Sequence, residues 1–160
     1  MNSKVIQDIF EEACEHVLRS YERNEIFFFS EADLKCVLFS ECLFLMKQRK
    51  IETPYPIWAD EEFYKSLTPD LTLGRKREVV VETKFFGRIK PDKSVISEVI
   101  RDLQKLDKYL SEGASFANFI LIDESGVLKN VPELIKLESW KEINRDNKKI
   151  DFLFLARFWF

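Results

Sequence analysis

The stretch Thr68–Phe86, TPDLTLGRKREVVVETKFF, decides how the rest of the chain is read. Asp70-Leu71-Thr72-Leu73 and Glu78-Val79-Val80-Val81-Glu82-Thr83-Lys84-Phe85 are two strand-like runs joined by a charged turn containing Gly74, the pattern of a β-hairpin. Pro69 stands at the start of the first run, where a missing N–H does least harm to a sheet. The valine triplet favours a pleated backbone. Alternation puts Val80, Glu82 and Lys84 on one face and Val79, Val81, Thr83 and Phe85 on the other. Pairing around Gly74 to Arg77 then brings Asp70 towards the far end of the second strand, beside Glu82 and Lys84.

Two carboxylates converging at a strand end make a hard oxygen site suited to Mg²⁺ or Mn²⁺, ions held by one or two carboxylates plus water and substrate phosphate. The backbone carbonyl of Thr83 offers a neutral ligand, and Lys84 is placed to orient water or to balance negative charge on an attacked phosphate. The chemistry expected of such a set is metal-assisted phosphodiester hydrolysis. The plain alternative is an exposed strand end with a Glu82–Lys84 ion pair.

At Pro69-Asp70 and Glu82-Thr83-Lys84 the sequence resembles the PD-(D/E)XK nuclease superfamily. The resemblance implies a restriction-endonuclease-like α/β core: a helix, a three-stranded antiparallel meander, a second helix and a further strand (α-βββ-α-β). It also implies divalent-metal nuclease activity on DNA, with Asp70 and Glu82 as metal ligands and Lys84 as the catalytic lysine. Family members complete the metal site with a glutamate from the helix before the meander; Glu31 is the first choice here and Glu41 the reserve. They often carry Gln, Lys or Tyr on the second helix, which makes Gln104 and Lys105 supporting candidates. Small nucleases of this kind commonly act as homodimers.

The 160 residues fit one domain over 1–160, large enough for a core, and the apolar content with fifteen Phe argues against disorder. A net charge of −3 does not announce a nucleic-acid partner. Locally, however, Arg75, Lys76, Arg77, Lys84, Arg88, Lys90 and Lys93 outnumber Glu78, Glu82 and Asp92, and this excess is expected to lie beside the site. Cys14, Cys36 and Cys42 have no zinc spacing and fall in apolar helical segments as free thiols. His16, the only histidine, has no partner motif and is read as structural. With no leader and no membrane-length apolar run, a soluble, intracellular, cytoplasmic protein without membrane contact is expected.

Residues 3–22 carry apolar side chains at three- and four-residue steps, an amphipathic helix additional to the minimal core. Ile26-Phe27-Phe28-Phe29 follows as an apolar staple. Ser30 then caps a helix running from Glu31 through Lys50, with Asp33 placed for a capping box. Leu34, Leu38, Cys42 and Leu45 share its buried stripe with Glu31 and Glu41. Pro54 and Pro56 break the chain, and Ile57 to Tyr64 is the expected first strand of the meander. Ser94 to Leu110 reads as the second helix, ended by Gly113, and Phe116 to Ile122 as a strand buried on both faces. From Pro132 a helix is expected to run through Trp140 to Asn144. Ile150 to Phe160 is then a terminal apolar strand needing cover from a helix or a partner protomer. Two rivals to the nuclease remain: a catalytically silent nuclease-fold module for nucleic-acid binding or assembly, and a structural protein whose acidic cluster is an ion-pair network.

Overall fold

In a computed structural model, which describes residues 2–49, 57–60, 67–87 and 90–158, the valine-rich run becomes an interior strand of a six-stranded sheet. The elements in order are α1 (Ser3–Glu22), α2 (Glu31–Gln48), β1 (Ile57–Ala59), β2 (Leu71–Leu73), β3 (Val79–Phe86), α3 (Lys93–Ser111), β4 (Phe116–Asp123), α4 (Pro132–Ile135), β5 (Trp140–Arg145) and β6 (Lys148–Phe158). A 3-10 turn, Leu128–Asn130, precedes α4. The protein is α/β, a mixed sheet flanked by helices, with strand order β1-β2-β3-β4-β6-β5. β1, β2 and β3 form an antiparallel meander, β4 is parallel to β3, and the β4–β6 and β6–β5 pairs are antiparallel.

Alternation along the strands sorts the core into two layers. Leu71, Leu73, Val79, Val81, Ile120 and Phe152 pack under α1 and α2, while Val80, Ala117, Phe119, Leu121 and Leu153 pack under α3 and α4. Two buried layers explain why β3 and β4 read as continuous apolar runs. The β2–β3 turn closes with Arg77 N–H donating to the Gly74 carbonyl at 3.0 Å. Gly74 has φ +99, and a Cβ there would meet the Glu78 carboxylate, so the turn requires glycine.

The helix starts follow their caps. Asn2 and Asp92 accept N–H groups of Lys4 and Val95 at 3.0 and 2.9 Å, so α3 begins one residue before the expected Ser94. At α2 the Asp33 carboxylate accepts the N–H groups of Phe29 and Ser30 at 2.7 and 3.1 Å. This is the return half of a capping box.

Two expectations are corrected. The helix beginning at Pro132 ends at Ile135, and Trp140–Arg145 is β5, not helix. Asp146 and Asn147 both have positive φ (52 and 60), so they form a two-residue hairpin turn that pairs Arg145 with Lys148. Consequently β6 is not an uncovered terminal strand: it lies between β4 and β5. The first meander strand is confined to Ile57–Ala59 among the described residues, and the rest of its expected extent, like Arg88 in the basic loop, lies largely outside them. Among the described residues no helix is long and apolar enough to cross a membrane.

Candidate active site

Register brings the candidate residues together. Leu71 pairs with Val81, and one step outward sets Asp70 opposite Glu82. The Asp70 carboxylate turns to the end of β3, where Oδ2 accepts the Thr83 N–H at 2.6 Å and the Thr83 hydroxyl at 3.0 Å. In a strand the N–H and C=O of one residue point to the same edge, so the Thr83 carbonyl also faces the Asp70 side.

Glu82 and Lys84, on the α3 side of β3, are 3% and 7% exposed. Groups buried that deeply need partners, and α3 supplies them. Glu98, Asp102, Lys105 and Tyr109 follow one another at four- and three-residue steps, a single stripe along the helix. The Tyr109 hydroxyl donates to Glu82 Oε1 at 2.5 Å. Lys84 Nζ lies 2.9 Å from Asp102 Oδ2 and 3.3 Å from both Glu98 Oε1 and Glu31 Oε2. Lys105 Nζ meets the other Asp102 oxygen at 2.8 Å.

These surroundings set the charges. Burial, reinforced by the negative charge of Asp70, pushes the Glu82 carboxyl up to about 8, against the opposing Tyr109 hydrogen bond. Burial also raises Glu31; Lys84 pulls it down, but desolvation prevails. For Lys84 burial acts the other way, yet the hydrogen bond and charge of Asp102, with Glu31 and Glu98, outweigh it and hold the ammonium protonated. The Tyr109 hydroxyl is raised by burial and by Glu82, so it stays a donor.

Glu31 reaches the site from the first turn of α2. One turn further on, Lys35 binds Asp60 at 2.5 Å, and the Asp60 N–H donates to the Asp70 carbonyl at 3.2 Å, which ties β1 and β2 to the helix. Glu41 is elsewhere: its carboxylate pairs with His16 Nδ1 at 2.8 Å between α1 and α2. His16 therefore does have partners, Glu41 and, at 3.8 Å, Glu12. Gln104 is solvent-exposed, off the stripe that carries Lys105. Of the free cysteines, Cys14 and Cys42 are buried and Cys36 is exposed. The basic turn Arg75–Arg77 is at the opposite end of the hairpin from Asp70, about 13 Å away at ~3.3 Å per residue. It does not adjoin the site.

Asp102 is the residue of this cluster that the sequence alone did not single out. It lies three residues after Val99 and four before Leu106, both fully buried, so helical spacing alone marks it as a buried acid. Among the described residues no group of three or more His, Cys, Asp and Glu is arranged to hold a metal ion, which leaves the two-carboxylate pair Asp70 and Glu82 as the candidate. No family model, no curated protein and no solved structure matches the chain significantly.

Proposed function

We propose that the protein is a divalent-metal-dependent nuclease that hydrolyses DNA phosphodiester bonds on a restriction-endonuclease-like fold. The observation that carries this reading is the register that sets Asp70 opposite Glu82, with Lys84 one strand period further along the same face and Glu31 bonded to it. The order helix, antiparallel meander, helix, parallel strand formed by α2, β1–β3, α3 and β4 agrees with the α-βββ-α-β arrangement.

The donor set fits Mg²⁺ or Mn²⁺. It consists of oxygens alone, among them two carboxylates that repel each other across the strand pair, the kind of donor set that water and phosphate complete around a hexacoordinate ion. Asp70 and Glu82 would hold the ion, with the Thr83 carbonyl as the neutral ligand. When bound, it supplies Lewis-acid polarisation of the phosphoryl oxygen and acidifies a water.

The remaining work falls to the chain. Thr83 and Tyr109 fix the orientation of the two carboxylates before substrate arrives, so little reorganisation is left for the reaction. Lys84, held protonated, is no general base; by exchanging one of its 3.3 Å contacts, with Glu31 or Glu98, for a water or a non-bridging phosphate oxygen it would offset the negative charge that grows as the P–O bond breaks. Glu31, Glu98 and Asp102 keep that ammonium in place.

The test is cleavage of plasmid and single-stranded DNA in Mg²⁺, in Mn²⁺ and in chelator. Metal-dependent cutting is expected from the wild type and not from Asp70→Ala or Lys84→Ala. A folded wild type that cuts in neither metal refutes the assignment. The enclosure of Lys84 by three carboxylates favours one second reading, a silent nuclease-fold module, which would bind DNA without cutting it.

A further inference from the structure

The apolar run before α2 does more than staple the chain. Phe28 points inward, stacked on Tyr21 at 5.1 Å and edge-on to Phe85 at 5.8 Å, but its neighbours Phe27 and Phe29 are 63% and 92% exposed. Two large rings side by side in solvent forgo the burial that usually accounts for phenylalanine. Each is tied to a neighbour at one point. The Phe29 N–H is fixed by Asp33, and Phe27 rests on the Arg145 guanidinium, 4.6 Å from its ring centre. Arg145 is itself anchored to Asn24 Oδ1 at 2.6 Å and to the Ile26 carbonyl at 3.0 Å.

These rings line a cleft of about 740 Å³ whose other wall is the β5–β6 hairpin, with the exposed Lys148; the Lys149 ammonium is turned to Glu142, 3.8 Å away. Two acids also line it, and both are engaged: Glu124 accepts the Tyr21 hydroxyl at 2.5 Å, and Asp146 accepts the Asn24 amide. The cleft opens at the same end of the sheet as the candidate active site. Phe29 is two residues from Glu31, and the Phe86 carbonyl, two residues past Lys84, accepts the Glu124 N–H at 2.8 Å.

We propose that this cleft binds an unpaired nucleic-acid strand, with bases stacked on Phe27 and Phe29 and the backbone phosphate on Lys148. The substrate class is then single-stranded nucleic acid, or the unpaired end of a duplex. Exposed aromatics beside cations are the general means of holding single strands, because every base has a π-face, whereas the faces of paired bases are covered within the duplex stack. The binding claim stands on the cleft alone; that the bound strand is led to Glu31 and Lys84 for cutting rests on the nuclease reading above.

Binding is measured by fluorescence anisotropy in chelator, with labelled oligothymidylate, oligouridylate and a duplex, so that no cleavage enters the result. The expected result is at least a tenfold preference for a single strand over the duplex. A loss of about tenfold is expected in each of Phe27→Ala and Phe29→Ala. Phe29→Trp should bind as well as wild type, and Lys148→Glu should weaken binding and flatten its salt dependence. Because binding is read in chelator, a failed nuclease assay leaves this result standing. Equal binding of duplex and single strand, or unchanged binding by the two alanine variants, overturns the proposal. So does a concentration-dependent dimer that Phe29→Ala dissolves while strand binding stays intact, since the patch would then belong to a second copy of the chain.

Discussion

Glu82→Gln isolates the electrostatic cost at the centre of the site. The glutamine keeps the size of the side chain and an oxygen to accept the Tyr109 hydroxyl, and removes only the buried charge. The Glu82 carboxyl titrates near 8 in the folded protein against an ordinary 4.5. Its folded value is the higher, so the folded chain holds the proton more tightly than the unfolded one, and stability falls as pH rises from 4.5 towards 8. At about 1.4 kcal/mol per pH unit the loss is on the order of 3 kcal/mol at pH 7 and about 5 kcal/mol above pH 8. For a domain of this size that corresponds to roughly 10 °C in melting temperature at neutral pH. The assay is thermal unfolding of wild type and Glu82→Gln in chelator across pH 5 to 9. The curves should lie close together at the acid end and separate progressively, with the variant more stable in alkali. Parallel curves would mean that Glu82 is not a strained buried acid, and the electrostatic picture of the site would fall with it.

Four further outcomes follow from the same geometry. Tyr109→Phe removes the hydrogen bond that lowers the Glu82 value, so the fall of stability, with its onset unchanged, should extend to higher pH, read from the same melting series. Asp102→Ala removes the buried partner shared by Lys84 and Lys105 and should cost about 3–5 kcal/mol in urea unfolding at neutral pH. Asn147→Val places a β-branched residue at φ 60 in the β5–β6 turn, and a loss of roughly 1–2 kcal/mol by denaturant titration is expected, against little change for Asn147→Gly. Mg²⁺ should raise the melting temperature of wild type at neutral pH and leave Asp70→Ala unmoved, the ion binding the folded state alone.

Much of this architecture is written locally in the chain. The valine triplet and Gly74 specify the hairpin, Ser30 with Asp33 starts α2, and period-two alternation commits Glu82 and Lys84 to one face before any tertiary contact exists. The β5–β6 hairpin was harder to read, because Asp-Asn is a less emphatic turn signal than Asn-Gly, and the apolar residues between Pro132 and Asn144 also fit a helix. Period-two alternation and helical spacing are properties of neighbours in sequence, and they determine which side chains share a face. Which faces meet is decided by packing. Only the folded chain could select Glu31 over Glu41, lay the acidic stripe of α3 along β3, and carry the basic turn away to the far end of the hairpin. Each of those outcomes depends on where rigid elements come to rest against a shared core, a long-range term that no local pattern contains.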